Sequence, residues 1–135
     1  MDLRSTVEIS ASGLRAQSMR MRVIAENLAN ADSVASTPGG TPYRRRVITF
    51  EPDLSGGEGG NGVHVRNITT DASDFRRIYQ PGHPAADAQG YVQMPNVNNL
   101  IETADMRAAQ RSYEANLNAI DAAKSMTMRT IDLLK

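Results

Sequence analysis

The segment YQPGHPAADAQGYVQMPNVNNL, residues 79–100, holds the residue types that most resemble a chemical site. His83 and Asp87 lie four residues apart, a spacing that would suit two metal ligands or an acid–base pair on one face of a helix. Pro84 lies between them and opposes the helical turn that would present both side chains. A zinc site also needs a third ligand, and none is obviously positioned for it. We therefore expect His83 to be a turn residue and the chain to carry no catalytic, metal or cofactor site.

Two further motifs have a chemical interpretation that their context does not support. Residues 57–62, GEGGNG, match the dinucleotide pattern G-x-G-x-x-G, but VHVRN follows where a phosphate-binding helix would have to begin. Arg44, Arg45 and Arg46 form the densest basic run, but no wider basic or aromatic face accompanies it. We interpret the first motif as a flexible loop and the second as a solvated or interface-facing strand. We expect no nucleic-acid partner.

Two long helices at the ends of the chain are the elements around which any function must be built. The first begins near Ser5, where STVE matches a capping box, and ends around residues 31–33. The second begins after Asn98 or Asn99 and contains no Gly or Pro as far as Leu134. Apolar residues recur every seven positions in both helices, which is the spacing of a coiled-coil seam. The predicted assembly seam consists of Val7, Leu14, Met21, Leu28, Met106, Tyr113, Leu117, Ile120, Ile131 and Leu134.

The middle of the chain has strand character instead. PYRRRVITFEP and GVHVRNIT are rich in β-branched and aromatic residues, and DFRRIYQPG and QGYVQMP add two short extended pieces. We predict a mainly α protein, with an antiparallel, coiled-coil-like pair of long N- and C-terminal helices and a small β-ribbon or irregular middle segment. Residues 1–33 are the N-terminal helix of the coiled-coil layer, residues 34–95 the β-rich or loop segment, and residues 96–135 the C-terminal helix of the layer.

Composition favours thin helix-on-helix packing over a large core. The chain has no Trp, two Phe, four Tyr and seven Met, so few large aromatic side chains are available to fill an interior. The second helix is longer than the first, and we expect the excess of its apolar stripe to pack against other chains. No stretch approaches the roughly 18 apolar residues of a membrane span. The polar N-terminus does not resemble a signal peptide, so we expect no direct membrane insertion and no cleaved signal.

Several segments resemble the axial proteins of the bacterial flagellum. AENLANADS, residues 25–33, resembles the A-x-N-L-A-N signature that ends the first helix of rod and hook proteins. PGHPAADAQGYVQMPNVN and RSYEANLNAIDAAKSM, which begin at Pro81 and Arg111, are similar to one branch, the C-type proximal rod proteins of the basal body. SVAS precedes TPG here, and the middle segment is too short for the central domain of distal rod or hook proteins. The residues that match the family signature are Asn27, Leu28, Asn30, Ser33, Gly90, Tyr91, Pro95, Asn96, Arg111 and Asn116.

The resemblance implies a structural subunit of the proximal rod rather than an enzyme. Such a subunit polymerises through its terminal helices into the drive shaft that crosses the periplasm, transmits torque and continues the export channel. The implied partners are other copies of itself, other proximal and distal rod proteins, the export-gate/MS-ring adaptor and the flagellar type III export apparatus. The implied location is the basal body, in the periplasmic part of the rod. Two alternatives stay open: a soluble coiled-coil adaptor that never polymerises, and an enzyme or metal protein that uses His83 and Asp87.

Overall fold

The computed structural model describes residues 2–55 and 62–135, and within them two long helices flank two small sheets. The helices are α1 (Leu3–Ala29) and α2 (Asn99–Leu133). The strands are β1 (Arg46–Asp53), β2 (Gly62–Thr70), β3 (Arg76–Tyr79) and β4 (Tyr91–Met94). The predicted fold class is confirmed: the protein is mainly α, with an antiparallel pair of terminal helices and a small β-rich middle.

Each sheet has two strands and is formed by neighbours in sequence. β1 pairs with β2, and β3 pairs antiparallel with β4, from Arg76 opposite Met94 to Tyr79 opposite Tyr91. All four strands lie in the segments that the sequence predicts to be extended. Of the GEGGNG motif only Gly62, which begins β2, lies among the described residues. Neither α1 nor α2 is long and apolar enough to cross a membrane.

Polar side chains just ahead of the two helices determine where each helix begins. Asp2 Oδ1 accepts a hydrogen bond from the Ser5 amide at 2.7 Å, so Asp2 caps α1. The predicted capping box beginning at Ser5 is therefore wrong, because α1 begins at Leu3 and the Ser5 amide is itself bound by the Asp2 carboxylate. Asn98 Oδ1 accepts hydrogen bonds from the amides of Leu100 and Ile101, at 3.0 and 3.3 Å. These contacts confirm the predicted cap of α2.

The described residues form two compact units built from separated stretches of the chain. The first unit contains the described residues of Met1–Met21, Ile48–Asn67 and Arg107–Lys135, and the second contains Arg22–Val47 and Ile68–Met106. Both helices pass from one unit into the other.

In the first unit, α1 and α2 come close because the residues between them are small. The buried apolar residues of these stretches are Ala16, Ala109 and Ala123. Gly13 has no side chain, and the amide group of Asn116 occupies the space beside its Cα. A Cβ added to Gly13 would lie 2.7 Å from Asn116 Nδ2 and 2.9 Å from its Cγ. Such distances are shorter than van der Waals contact, so the position favours glycine despite its cost of about 1 kcal/mol to a helix.

The two helices run in opposite directions. Gly13 contacts Asn116, whereas the earlier residues Leu3 and Val7 line one groove together with the later residue Thr127. A residue nearer the start of α1 therefore faces a residue nearer the end of α2, as in an antiparallel coiled coil.

The start of β2 is attached to α1 in the same unit. Ser12 Oγ donates a hydrogen bond to the Ile9 carbonyl at 2.7 Å and accepts one from the Val63 amide at 3.0 Å. Gly62 makes the approach possible, because a Cβ there would lie 2.7 Å from Ser12 Oγ. Ser12 is buried, and the contact satisfies its hydroxyl without a water molecule.

The second unit has a small apolar core into which two polar side chains project. Its buried apolar residues are Val23, Ile24, Ala31, Pro42, Ala85, Val92, Pro95 and Val97. Asn27 and Glu102 are as buried as these apolar residues, with 1% and 0% of their surfaces exposed. Buried polar groups are retained in a core only when their hydrogen bonds are made, so the partners of these two residues define the site described next.

Candidate assembly site

Asn27 uses all of its side-chain hydrogen-bonding groups to join three segments of the second unit. Its Nδ2 donates to the Arg46 carbonyl at 2.9 Å and to Glu102 Oε2 at 3.3 Å. Its Oδ1 accepts from the Tyr43 hydroxyl at 2.8 Å and from the Arg46 amide at 2.9 Å. The end of α1, the segment leading into β1 and the first turn of α2 are thereby linked by one side chain.

The Arg45 guanidinium compensates the negative charge of Glu102. The Arg45 guanidinium donates through Nε to Glu102 Oε1, and its Nη1 lies 3.4 Å from Asp71 Oδ2. Burial lowers the pKa of Arg45, but the hydrogen bonds and charges of Glu102 and Asp71 together outweigh it, so the pKa lies above its ordinary value. Burial, helped by the charge of Glu26, raises the pKa of Tyr43, so its hydroxyl retains the proton that it donates. We call Asn27, Tyr43, Arg45, Arg46 and Glu102 the polar cluster.

The three consecutive arginines have separate intramolecular partners. Arg44 Nη1 donates to the carbonyls of Asp71 and Ser73 at 2.8 and 3.0 Å, and its guanidinium lies over the Phe75 ring at 4.1 Å. Arg45 enters the polar cluster, and Arg46 Nη1 pairs with Glu26 Oε2 at 2.9 Å on the outside. Arg44 and Arg45 lie directly ahead of β1, which begins at Arg46, and the three side chains reach different partners. Intramolecular contacts engage all three guanidinium groups, and the Arg46 side chain stays 43% exposed, so a solvated or interface-facing strand stays a prediction.

The family-signature asparagine at the end of α1 also acts locally. Asn30 Nδ2 donates to the Glu26 carbonyl at 2.8 Å, and its Oδ1 accepts from Ser33 Oγ at 3.1 Å. The Ser33 carbonyl then accepts a hydrogen bond from the Tyr43 amide at 3.0 Å. These contacts add side-chain hydrogen bonds where the helix ends and connect the residues after α1 to Tyr43 of the polar cluster.

Asn96 positions the segment that leads into β1 and contains Arg45. Its Oδ1 accepts a hydrogen bond from the Arg45 amide at 2.7 Å, and its Nδ2 donates to the carbonyls of Asp71 and Ser73, both at 3.1 Å. Pro95, directly before it, is buried. The signature residues Asn27, Asn30, Ser33 and Asn96 thus all bind backbone or side-chain groups of their own chain.

The segment that looked most like a chemical site is a series of turns. His83 Nδ1 accepts a hydrogen bond from the Ala85 amide at 3.0 Å, which confirms the prediction of a turn residue. Asp87 Oδ1 accepts hydrogen bonds from the amides of Tyr91 and Gln89, at 2.9 and 3.0 Å, and its Oδ2 pairs with Arg77 at 2.9 Å. The Tyr91 amide is the largest of the influences that hold the pKa of Asp87 below its ordinary value. This carboxylate is a structural acceptor, which leaves it poorly suited to abstract a proton.

Tyr91 and Gly90 complete these turns. Gly90 has a φ of 86°, and a Cβ there would lie 2.9 Å from Tyr79 Cε2. The rings of Tyr79 and Tyr91 meet edge to face with centroids 5.3 Å apart. Within residues 2–55 and 62–135, no three His, Asp or Glu side chains are grouped as metal ligands would be.

The predicted seam residues divide into two groups by exposure. Those of α1 and the middle of α2 are half-buried: Val7, Leu14, Met21, Leu28, Met106, Tyr113 and Ile120. Leu117, Ile131 and Leu134 are exposed, by 43%, 52% and 83%. The signature residue Arg111 is also exposed. The most buried line of α2 is instead formed by Glu102, Ala109 and Ala123, which the seam prediction did not include.

The C-terminal end of α2 has an apolar surface that the chain does not cover. Every residue from Lys124 to Lys135 is exposed. The large apolar side chains among them are Met126, Met128, Ile131, Leu133 and Leu134. Beside this end, Thr127 and the first residues of α1 line an open groove of about 870 Å³. We call these five apolar residues the terminal stripe.

The sequence predicted part of the polar cluster and missed the rest. Asn27 was selected by its signature, whereas Tyr43 and Glu102 were not selected as a site. Glu102 does carry a signal: it continues, at intervals of seven, the line of Ala109, Asn116 and Ala123. An acidic residue in the most buried heptad line requires a cation, but the distant partner Arg45 cannot be identified from spacing.

Comparison with known proteins gives consistent matches along the chain. Residues 8–35 match the family model "Flagella basal body rod protein", and residues 88–133 match "Flagellar basal body rod FlgEFG protein C-terminal". The flagellar basal-body rod protein FlgC of Agrobacterium fabrum is 50% identical over 133 residues, covering 98% of this chain and 96% of the relative. FlgC of Salmonella typhimurium is 42% identical, covering 98% of each chain. FlgC of Bacillus subtilis is 42% identical, covering 96% of this chain and 97% of the relative.

Proposed function

Because the chain belongs to the FlgC family of flagellar basal-body rod proteins, we propose that it is a structural subunit of the proximal rod. In this role it polymerises through its terminal helices into the drive shaft, transmits torque and continues the export channel. It lies in the periplasmic part of the basal body, which it reaches through the flagellar type III export apparatus. The function is mechanical, and it needs many shared contacts rather than a reacting group.

The observation that carries the proposal is the terminal stripe. Its five apolar residues lie between positions 126 and 134, on the last turns of α2 and on Leu134 directly after it, and each has more than half of its surface exposed. Apolar area on this scale gains about 25 cal/mol for each Å² removed from water, so burial against another helix is strongly favourable. Large apolar side chains left exposed together at one end of a folded chain are typical of protein–protein contacts.

The partners that fit this stripe are other copies of the chain and other rod proteins with similar terminal helices. We propose that Leu117, Ile131 and Leu134 contact a neighbouring subunit, and that the half-buried seam residues, Met106, Tyr113 and Ile120 among them, mainly pair α2 with α1. A contact between two different surfaces propagates along a helix when the rotation between copies does not close a ring. The export-gate/MS-ring adaptor and the distal rod proteins would then meet the two ends of this segment.

The decisive experiment introduces a charge into the terminal stripe in the native host. Ile131→Asp and Leu134→Asp should give secreted protein but no rods in purified basal bodies and no swimming, because a carboxylate cannot be buried at an apolar contact. Ser125→Asp is the matched control, since Ser125 is also exposed at this end of α2 but lies outside the stripe. Normal rods and swimming in both stripe variants would overturn the proposal. If a stripe variant is not secreted, Ile131→Ser repeats the test without adding charge.

A further inference from the structure

The apolar pattern of α1 and α2 does not by itself define how far one helix is shifted along the other. Val7, Leu14 and Met21 repeat every seven residues in α1, and Met106, Tyr113 and Ile120 do so in α2. A shift of one heptad therefore brings apolar residues opposite apolar residues again. In regular coiled coils, a buried polar residue at one seam position is what selects a single register.

Two contacts in this chain break the repetition. In the first unit, Gly13 accommodates the amide group of Asn116 against its Cα. In the second unit, Asn27 Nδ2 donates to the buried Glu102 carboxylate at 3.3 Å. Gly13 and Asn27 are two heptads apart on α1, and Glu102 and Asn116 are two heptads apart on α2. Both contacts consequently specify the same register between the helices, one in each unit.

A shift by one heptad would disrupt both contacts. Gly13 would lie opposite Ala109 or Ala123 in place of Asn116, and the space beside its Cα would no longer be filled. Asn27 would lie opposite Ala109 and lose its carboxylate partner, while Glu102 would leave Arg45. An unpaired buried carboxylate is strongly unfavourable, whereas a shift of one heptad still leaves apolar seam residues opposite apolar seam residues.

We propose that Gly13–Asn116 and Asn27–Glu102 are the residues that determine the register of the helix pair. The large seam residues stabilise the contact between the helices, and these four residues select its register. The proposal concerns the fold of one chain and does not depend on assembly into a rod.

The chain contains no cysteine, so engineered disulfides can report the register directly. In the native register Ala16 lies at the level of Tyr113, and a shift of one heptad places it at the level of Ile120. The two reporters are therefore Ala16→Cys with Tyr113→Cys, and Ala16→Cys with Ile120→Cys. Each is oxidised in the purified full-length chain at low concentration, and intramolecular cross-linking is quantified by mobility on a non-reducing gel.

With the four positions intact, the first reporter should cross-link faster than the second by about tenfold or more. This ratio corresponds to a tenfold preference for the native register over the shifted one. Asn116→Leu combined with Glu102→Leu should bring the two rates close together. Ser112→Ala is the matched control, because Ser112 lies in the same turn as Asn116 and is half-buried. This control should keep the preference of the parent chain.

Two results would overturn the proposal. Equal cross-linking of both reporters in the parent chain would mean that no single register is selected. An unchanged preference in the Asn116→Leu, Glu102→Leu chain would mean that the register is selected elsewhere. If the double variant does not fold, Asn116→Leu alone tests the Gly13–Asn116 contact. It should reduce the ratio of the two cross-linking rates without making them equal. Retention of the full preference in that variant would likewise exclude Asn116.

Discussion

Arg45 and Glu102, 57 positions apart in the sequence, form the ion pair at the centre of the second unit. The carboxylate side chain is 1% exposed and the guanidinium side chain 23% exposed, so the anion depends on the cation for its charge compensation. A buried ion pair adds little net stability compared with a well-packed apolar pair, but loss of one partner is costly. The pair therefore ties the position of the β1 segment to the first turn of α2.

Arg45→Met should reduce the free energy of unfolding by about 3 kcal/mol, because it leaves the Glu102 carboxylate buried without its cation. Arg45→Met combined with Glu102→Leu should be more stable than Arg45→Met alone, since no charge is then left in the core. Urea unfolding followed by circular dichroism measures both. Arg66→Met is the control: Arg66 is exposed and lies 3.7 Å from Glu51, a surface pair worth at most about 1 kcal/mol. Additive losses from the Arg45 and Glu102 substitutions would contradict the coupling.

Asp71 gives the second unit a defined dependence on pH. The Ser73 amide, 2.8 Å from Oδ1, is the largest influence that lowers the pKa of Asp71 below the ordinary 3.8, and Arg45 adds to it. A lowered pKa in the folded state means that ionised Asp71 stabilises the fold above about pH 4 and that this contribution is lost as the pH falls through the folded value. The stability difference between the parent chain and Asp71→Asn should therefore be constant near neutrality and shrink below pH 3.8.

Urea midpoints of the two chains, measured at intervals between pH 7 and pH 2.5, test this dependence. Asp74→Asn controls for the loss of one acidic charge from the same exposed turn. A difference between parent and Asp71→Asn that widens as the pH falls would contradict the proposed role of the ionised carboxylate.

Gly90→Ala should weaken the β3–β4 hairpin by about 1–2 kcal/mol, because an L-residue at a positive φ is strained. The added methyl group would also lie 2.9 Å from Tyr79 Cε2 and 3.1 Å from Pro81 Cβ. Gly82→Ala is the matched control in the same turns, since a Cβ there meets no atom of the described residues within 4 Å. Amide hydrogen exchange at Val92 reports the hairpin. Equal protection in the two variants would show that the conformation of Gly90 is not what holds the turn.

The elements of the fold were predictable from local signals. Strand character in RVITF and GVHVRN, and the absence of Gly and Pro after Asn98, located β1, β2 and α2 correctly. The start of α1 was wrong by a few residues because Asp2 and Ser5 are both good caps, and only the structure shows which of them binds the free amide.

The packing of the helices was less predictable. A heptad analysis selects large apolar residues, such as Met106 and Tyr113, yet these are half-buried beside the contact. The most buried residues of α2 in the first unit are instead Ala109 and Ala123, whose small side chains allow close packing. The polar cluster was the least predictable feature, since the pairing of Arg45 with Glu102 depends on contacts between residues distant in sequence.

The distances in sequence that these contacts bridge also bear on the order of folding. The hairpin of β3 and β4 closes a short loop, a step that takes about 1–10 μs for a typical hairpin. The Asn27–Glu102 contact closes a loop of 75 residues, and the entropy lost on closure increases with the logarithm of loop length. The turns around Asp87 can therefore form early and locally. In contrast, α1 is the first element of the chain but can pack against α2 only after α2, the last element, has formed.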